Sequence, residues 1–195
     1  MRGFFPPLKG QFYNMNTNYL SQKAVDLLDK WRADYCYDDR YAQRPGWDEY
    51  FMHLACNTAA RSDDAQTQFG AIVVSPTKEI LATGYNGTMR DIKHGVLPNL
   101  RPAKYDWMIH AEHNAILSCA RQGKSTLGAT VYVNGQPCIY CLQYMWQVGI
   151  KEIVHTAKEA IMTSDDMQVK IEIFKALTKH KLTIRQLDFS GKSSK

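Results

Sequence analysis

Apolar positions along the chain change period several times, and each change predicts a new element. In TNYLSQKAVDLLDKWRADY, which starts at Thr17, Leu20, Ala24, Leu27, Leu28 and Trp31 recur at helical spacing behind Thr and Asn caps. DDRYAQRPG breaks that helix, and WDEYFMHLACNTAARS resumes the period with Tyr50, Phe51, Leu54, Ala55 and Thr58. The β-branched run FGAIVVS reads as a buried strand, Pro76–Thr77 as a turn, and EILATGYNG as a strand that returns and ends at glycines. An irregular connection from Thr88 to Met108, with Pro98 and Pro102, comes next; loops of that length are uncommon in compact domains and often functional. HAEHNAILSCARQG is then a helix on Ala111, Ala115, Ile116, Leu117 and Ala120, with Gly123 as its stop. GATVYVN, KEIVHTA and KLTIRQL read as strands, separated by the helices CIYCLQYMWQVG and DDMQVKIEIFKALTKH.

From the first strand the order is ββαβαβαβ. That order predicts one α/β domain, a five-stranded mixed sheet covered by helices, with helical additions in front. The expected boundaries are an N-terminal extension with one helix at 1–44, the domain at 45–190, and a disordered tail at 191–195, where the chain is short and polar. Hydrophobic residues at 45% and charged residues at 22% suit a globular chain and argue against disorder. No apolar run approaches the roughly 18 residues of a membrane span, and the N-terminus lacks the continuous apolar stretch of a signal peptide. A cytoplasmic protein is the expectation. The net charge of +5 suits an anionic ligand such as a nucleotide. With no basic run to form an arm, polymeric nucleic acid is not expected.

The chemistry starts from the cysteines. Cys36, Cys56, Cys119, Cys138 and Cys141 are odd in number and do not form the even framework of a small secreted fold. In a reducing compartment the close pair Cys138–Cys141 points to a metal or redox site. Upstream, at the start of another helix, stand His110, Ala111 and Glu112. Two thiolates and an imidazole are good zinc ligands, and three protein ligands leave a fourth position for water. Glu112, two residues from a ligand but not itself one, is placed to take that water's proton. The separation from Glu112 to Cys138, 138 − 112 = 26 positions, has room for one helix, a turn, a strand and a short loop. H-x-E … P-C-x-x-C resembles the signature of the zinc nucleobase deaminases.

With these residues in place the chain resembles the cytidine deaminase superfamily and, within it, the deoxycytidylate (dCMP) deaminases. WDEYFM, ARSDD, FGAIVVS, ATGYNGT, RPAKYDWMIHAEHNAIL and PCIYC look like that family's blocks in its order, over roughly Trp47 to Thr156. The resemblance implies a three-layer α-β-α cytidine deaminase-like fold and hydrolysis of dCMP to dUMP and ammonia. It implies that His110, Cys138 and Cys141 bind one catalytic Zn2+. Glu112 becomes the proton shuttle to N3 and to the departing amine, while the Ala111 N–H helps hold the base. Arg121 is implied in nucleotide preference, with Lys104 and Arg101 as further phosphate contacts, and Asn86 is a candidate for a sugar hydroxyl. Tyr105 and Trp107 are candidates to stack on the base, and Tyr140 between the cysteines to influence what is accepted. Arg61, Ser62, Gly84, Tyr85, Asn86 and Gly87 resemble the family's regulatory site, where dCTP, with Mg2+, activates and dTTP inhibits a homohexamer.

The chain also departs from that pattern. MRDIKHG follows GYNGT, which leaves His94 with Cys56 as a candidate second, structural zinc pair, and NGQ replaces the usual Thr or Ser before Pro137. Alternatives are deamination of dCTP, a 5-modified dCMP or a polynucleotide cytosine, and a scaffold in which zinc only holds the fold.

Overall fold

The structure, a computed structural model, describes residues 19–35, 44–93, 95–157 and 165–189. The chain divides into two compact units, Met1–Arg44 and Pro45–Lys195. In the first unit helix α1 spans Gln22–Tyr35. It starts later than the Thr17 and Asn18 caps predict, because Ser21 takes the capping place: its hydroxyl accepts the Ala24 N–H (3.4 Å) and its carbonyl that of Val25 (3.1 Å). Thr17, Asn18, Cys36, His94 and the 191–195 tail lie outside the described residues.

In the second unit the elements are α2 (Trp47–Ala59), β1 (Gly70–Val74), β2 (Ile80–Tyr85), α3 (Ala111–Arg121), β3 (Thr130–Val133), α4 (Ile139–Gln147), β4 (Glu152–His155), α5 (Asp165–Leu177) and β5 (Thr183–Gln186). This is the ββαβαβαβ order behind α2. The sheet order is β2-β1-β3-β4-β5; β1 runs antiparallel to β2 and β3, while β3, β4 and β5 are parallel. Strand alternation sends Ala71, Val73, Val131, Val133 and Ile153 into one core with α3, α4 and α5. Ile72, Val74, Tyr132 and Val154 go to the other face, under Phe51, Met52 and Ala55 of α2. Both faces are covered, so β1 and β3 are buried at every position, as continuous apolar runs require. The result is the three-layer α-β-α arrangement with a five-stranded mixed sheet.

Two glycines set how closely helices lie on this sheet. A Cβ at Gly70 would stand 2.1 Å from the Ala55 carbonyl oxygen of α2, and one at Gly84 would stand 2.3 Å from Ala115 N and 2.4 Å from Ala111 O of α3. Glycines also end α3 and α4. Gly123 and Gly149 take positive φ (65° and 78°), and the N–H groups that follow reach back to Cys119 O and Met145 O at 3.0 Å.

The start of α2 is tied to the sheet by charge. Asp48 accepts the Tyr132 hydroxyl (2.8 Å) and pairs with Arg185 (2.8 Å), which also donates to Glu152 (3.0 Å). Arg185 holds the Asp48 carboxyl below its usual range, against burial and with help from Tyr132. A depressed carboxylate contributes stability above its unfolded-state pKa of about 4 and loses that contribution as pH falls through the lower folded value. Asp48→Asn is therefore expected to lower the urea midpoint at about pH 6, with the gap to wild type shrinking at about pH 3. A gap independent of pH would remove the Asp48 charge from the stability of this corner. Among the described residues no helix is long and apolar enough to cross a membrane.

Candidate metal and catalytic site

His110 and Cys138 occupy equivalent places in two consecutive units of the fold: each is the N-cap of the helix that follows, α3 or α4, with extended backbone (ψ 154° and 165°). Glu112 and Cys141 fall in the first turns behind them. Helix starts carry unpaired N–H groups and a partial positive charge, which favours thiolates at this end.

The three ligand atoms form a near-equilateral triangle. His110 Nδ1 lies 3.6 Å from Cys138 Sγ and 3.3 Å from Cys141 Sγ, and the sulfurs are 3.5 Å apart. A disulfide holds its sulfurs about 2.05 Å apart, so the pair is not one. A tetrahedral zinc, with Zn–S of about 2.3 Å and Zn–N of about 2.0 Å, sets sulfurs about 3.8 Å apart and sulfur about 3.5 Å from nitrogen. The triangle is within a few tenths of an ångström of that, and it is the only group of His, Cys, Asp or Glu with metal-holding geometry found among the described residues. The donor set fits zinc.

Protonation within the triangle is divided. The hydrogen bond shared with Cys141 holds Cys138 down to about 4, against burial and with help from His110. The same bond, together with burial, pushes the Cys141 thiol up, and the Cys138 sulfur raises His110. A metal ion is bound by cysteines as thiolates, so its binding here would release protons. Glu112 sits against them at 5% exposure, its carboxyl pushed up by burial in spite of the opposing His110 charge. A carboxyl held toward neutrality beside an activated water can take and return a proton near neutral pH.

The remaining nominated residues are distributed more widely. Ala111 is fully buried beneath Gly84 at the start of α3. Lys104, expected at a phosphate, is buried instead, its ammonium on both oxygens of Asp64 (2.7 and 2.6 Å). Asn86, expected at a sugar hydroxyl, donates to Asp64 (3.1 Å) and the Thr67 carbonyl (2.8 Å) and accepts from Phe69 N–H (2.7 Å). Its carboxamide is thus committed to the 62–69 loop. Arg121 is exposed at the far end of α3, about 16 Å along the axis from His110 at 1.5 Å per residue. Arg101 donates to Tyr105 Oη (2.8 Å) and Thr67 Oγ1 (2.6 Å), and Tyr105, Trp107 and Tyr140 are exposed.

Of the residues likened to a regulatory site, Ser62 is buried and donates to Asn86 O (2.7 Å), while Arg61 and Tyr85 are exposed. Gly84 makes its close approach to α3 and not to a ligand, and Gly87 has ordinary space around it. Two features carry no local signal in the sequence. Asp64 meets Lys104 across forty positions, and Gln136, next to Pro137, exchanges two amide hydrogen bonds with Gln168 of α5 (3.3 and 3.1 Å).

Residues 45–157 match the family described as "Cytidine and deoxycytidylate deaminase zinc-binding region". The chain is 34% identical over 155 residues to the deoxycytidylate deaminase of Saccharomyces cerevisiae, covering 75% of this chain and 46% of that one. It is 38% identical over 114 residues to the human deoxycytidylate deaminase, covering 55% and 63%. Among solved structures, the dCMP deaminase of cyanophage S-TIM5 in complex with dCMP and dUMP superposes with a TM-score of 0.61 at 26% identity, covering 74% of this chain and 98% of that one. The chain belongs to the cytidine and deoxycytidylate deaminase family. It spans about half the length of the yeast relative and under two thirds of the human one.

Proposed function

We propose that this protein is a zinc-dependent hydrolytic deaminase that converts dCMP to dUMP and ammonia, supplying dUMP for thymidylate synthesis in the cytoplasm. The observation that carries the proposal is the His110–Cys138–Cys141 triangle with a buried carboxyl, Glu112, beside it. A zinc ion held by these three side chains supplies Lewis-acid activation of a water molecule. Glu112 would take one proton from the water that adds to C4 and pass it to N3 of the cytosine. It would then carry the added oxygen's second proton to the exocyclic nitrogen, so that the C4–O bond formed replaces the C4–N bond broken and ammonia leaves. The backbone N–H of Ala111, at the start of α3, holds the base. A purely structural metal site has no need of a buried carboxyl in this place, which disfavours the scaffold reading.

The monophosphate is supported by the names of the relatives and by the nucleotides in the cyanophage complex. Within RPAK, Arg101 is the cation left for an anionic group, since among the described residues two of the guanidinium's five N–H donors are engaged. Arg121 is proposed to act in nucleotide preference from the far end of α3, and Tyr140 to shape what enters. Control by dCTP and dTTP with Mg2+, at Arg61, Ser62, Gly84, Tyr85, Asn86 and Gly87 in a homohexamer, belongs to the same proposal.

Ammonia release measured on cytidine, dCMP, CMP, dCTP and a cytosine-containing oligonucleotide tests this, with dCTP plus Mg2+ or dTTP added in parallel. The highest kcat/KM is expected on dCMP, raised by dCTP and lowered by dTTP. A nucleoside rate equal to that on dCMP would discard phosphate recognition, and no ammonia from any substrate would discard the activity.

A further inference from the structure

The pair Lys104–Asp64 is out of the ordinary for its burial. Its side chains are 3% and 4% exposed, and the ammonium meets both carboxylate oxygens. Taking two charges out of water costs several kcal/mol per ion, and an apolar pair of similar volume is often as stable or more so. Stability alone is therefore a poor reason for this pair to be ionic. What the charges add is direction, because each is held in a set of bonds that leads toward His110.

These bonds close a ring. Asp64 Oδ1 also accepts the N–H groups of Gln66 (2.8 Å) and Thr67 (3.0 Å), while Oδ2 accepts the Asn86 amide (3.1 Å). Asn86 is followed by Gly87, which pairs both ways with Ile109: Gly87 N to Ile109 O is 3.1 Å and Ile109 N to Gly87 O is 2.8 Å. From Ile109 the chain runs back through Met108 and Trp107, whose N–H groups both rest on Lys104 O at 3.0 Å, and Lys104 Nζ returns to Asp64. The residue after Ile109 is His110. Its extended backbone aims Nδ1 at the two sulfurs, so the φ and ψ values entering α3 set the position of that ligand.

We infer that the Lys104–Asp64 ion pair is a positioning latch: it clamps the 104–109 segment onto the 62–67 loop and the end of β2, and so fixes where His110 presents its nitrogen. Lys104 and Asp64 spend their charges on each other and act through His110. A misplacement of about 1 Å in a reacting group costs roughly 10²-fold in rate, so a latch remote from the chemistry can still govern it. The inference rests on the metal-site reading and is independent of which cytosine nucleotide is turned over.

Lys104→Met and the double variant Asp64→Asn/Lys104→Met separate positioning from stability. The single variant strands a buried carboxylate; the double variant removes both charges and keeps a carboxamide oxygen for the Gln66 and Thr67 N–H groups, while giving up the Asn86 bond to Oδ2, which Asp64→Asn alone controls for. With the full chain loaded with Co2+ in place of zinc, visible absorption reports the His–Cys ligand geometry directly. Lys104→Met is expected to lower Tm, alter the Co2+ bands and reduce kcat on dCMP about tenfold or more. In the double variant Tm is expected to recover most of the loss while the Co2+ bands and kcat stay altered. Wild-type bands and kcat in the double variant, or a single variant with lowered Tm and unchanged bands, would overturn the latch. If the wild-type protein released no ammonia from dCMP, the Co2+ bands would still decide the latch while the substrate proposal fell.

Discussion

Glu112→Gln is expected to hold its metal at wild-type stoichiometry and to lose about 10³–10⁴-fold in kcat on dCMP. The two halves of that expectation have separate causes. The ligand triangle is complete without Glu112, so a carboxamide in its place removes no donor from the metal. Glutamine also matches the volume of a side chain that is 5% exposed, and as a neutral group it avoids the burial that pushes the Glu112 carboxyl up. What is lost is the ability to accept a proton from water and return it to nitrogen, which a carboxamide cannot replace. Elemental analysis of the purified variant together with ammonia release checks both halves. Turnover within tenfold of wild type would remove Glu112 from proton transfer, and loss of zinc would make it a ligand in effect.

Gly84→Ala is expected to be, with Gly70→Ala, among the most damaging single methyl additions in the domain. The added Cβ would lie 2.3 Å from Ala115 N and 2.4 Å from Ala111 O, and both are backbone atoms of α3, which have no rotamer to change. Overpacking of cores typically costs about 1–3 kcal/mol, and this contact belongs at or above the top of that range. The only relief is to lift α3 off β2, and α3 carries His110 at its cap and Glu112 in its first turn. The urea midpoint and the bound metal should therefore fall together. Gly87→Ala is the control, because its new Cβ would meet Asp63 Oδ1 at 3.4 Å, an ordinary contact. Equal effects at the two positions would show that turn geometry, and not helix approach, governs this strand end.

The contrast between these glycines shows where sequence pattern stops being informative. Both stand in ATGYNGT, and both read as turn or ligand-approach residues, since nothing local distinguishes a glycine that bends the chain from one that makes room for a helix. The element order, the layers and the mixed sheet were legible because β-branched runs and helical stripes are local signals, each complete within a dozen residues. The cluster of His110, Cys138 and Cys141 was legible for the same reason: H-x-E and C-x-x-C are short motifs at helix starts. The expectations for Lys104, Asn86 and Arg121 rested on nearness in sequence or on resemblance, and neither signal carries the protein partners that the first two have. Lys104 is taken up by Asp64, forty positions away, and Asn86 by the loop around it. A partner at that distance leaves no mark in the spacing of either residue. The expectation for Arg121 put a ligand and a selector on one helix; the structure places His110 and Arg121 at opposite ends of it.

His110 and Cys138 are 28 positions apart in sequence, each at the head of its own helix. Any ion that joins them closes that stretch of chain into a loop. By the arithmetic used for a disulfide, a closed loop of this size removes about 3–4 kcal/mol of conformational freedom from the unfolded chain. Unlike a disulfide, this cross-link is set by mass action, so the melting temperature of the domain becomes a function of free metal concentration.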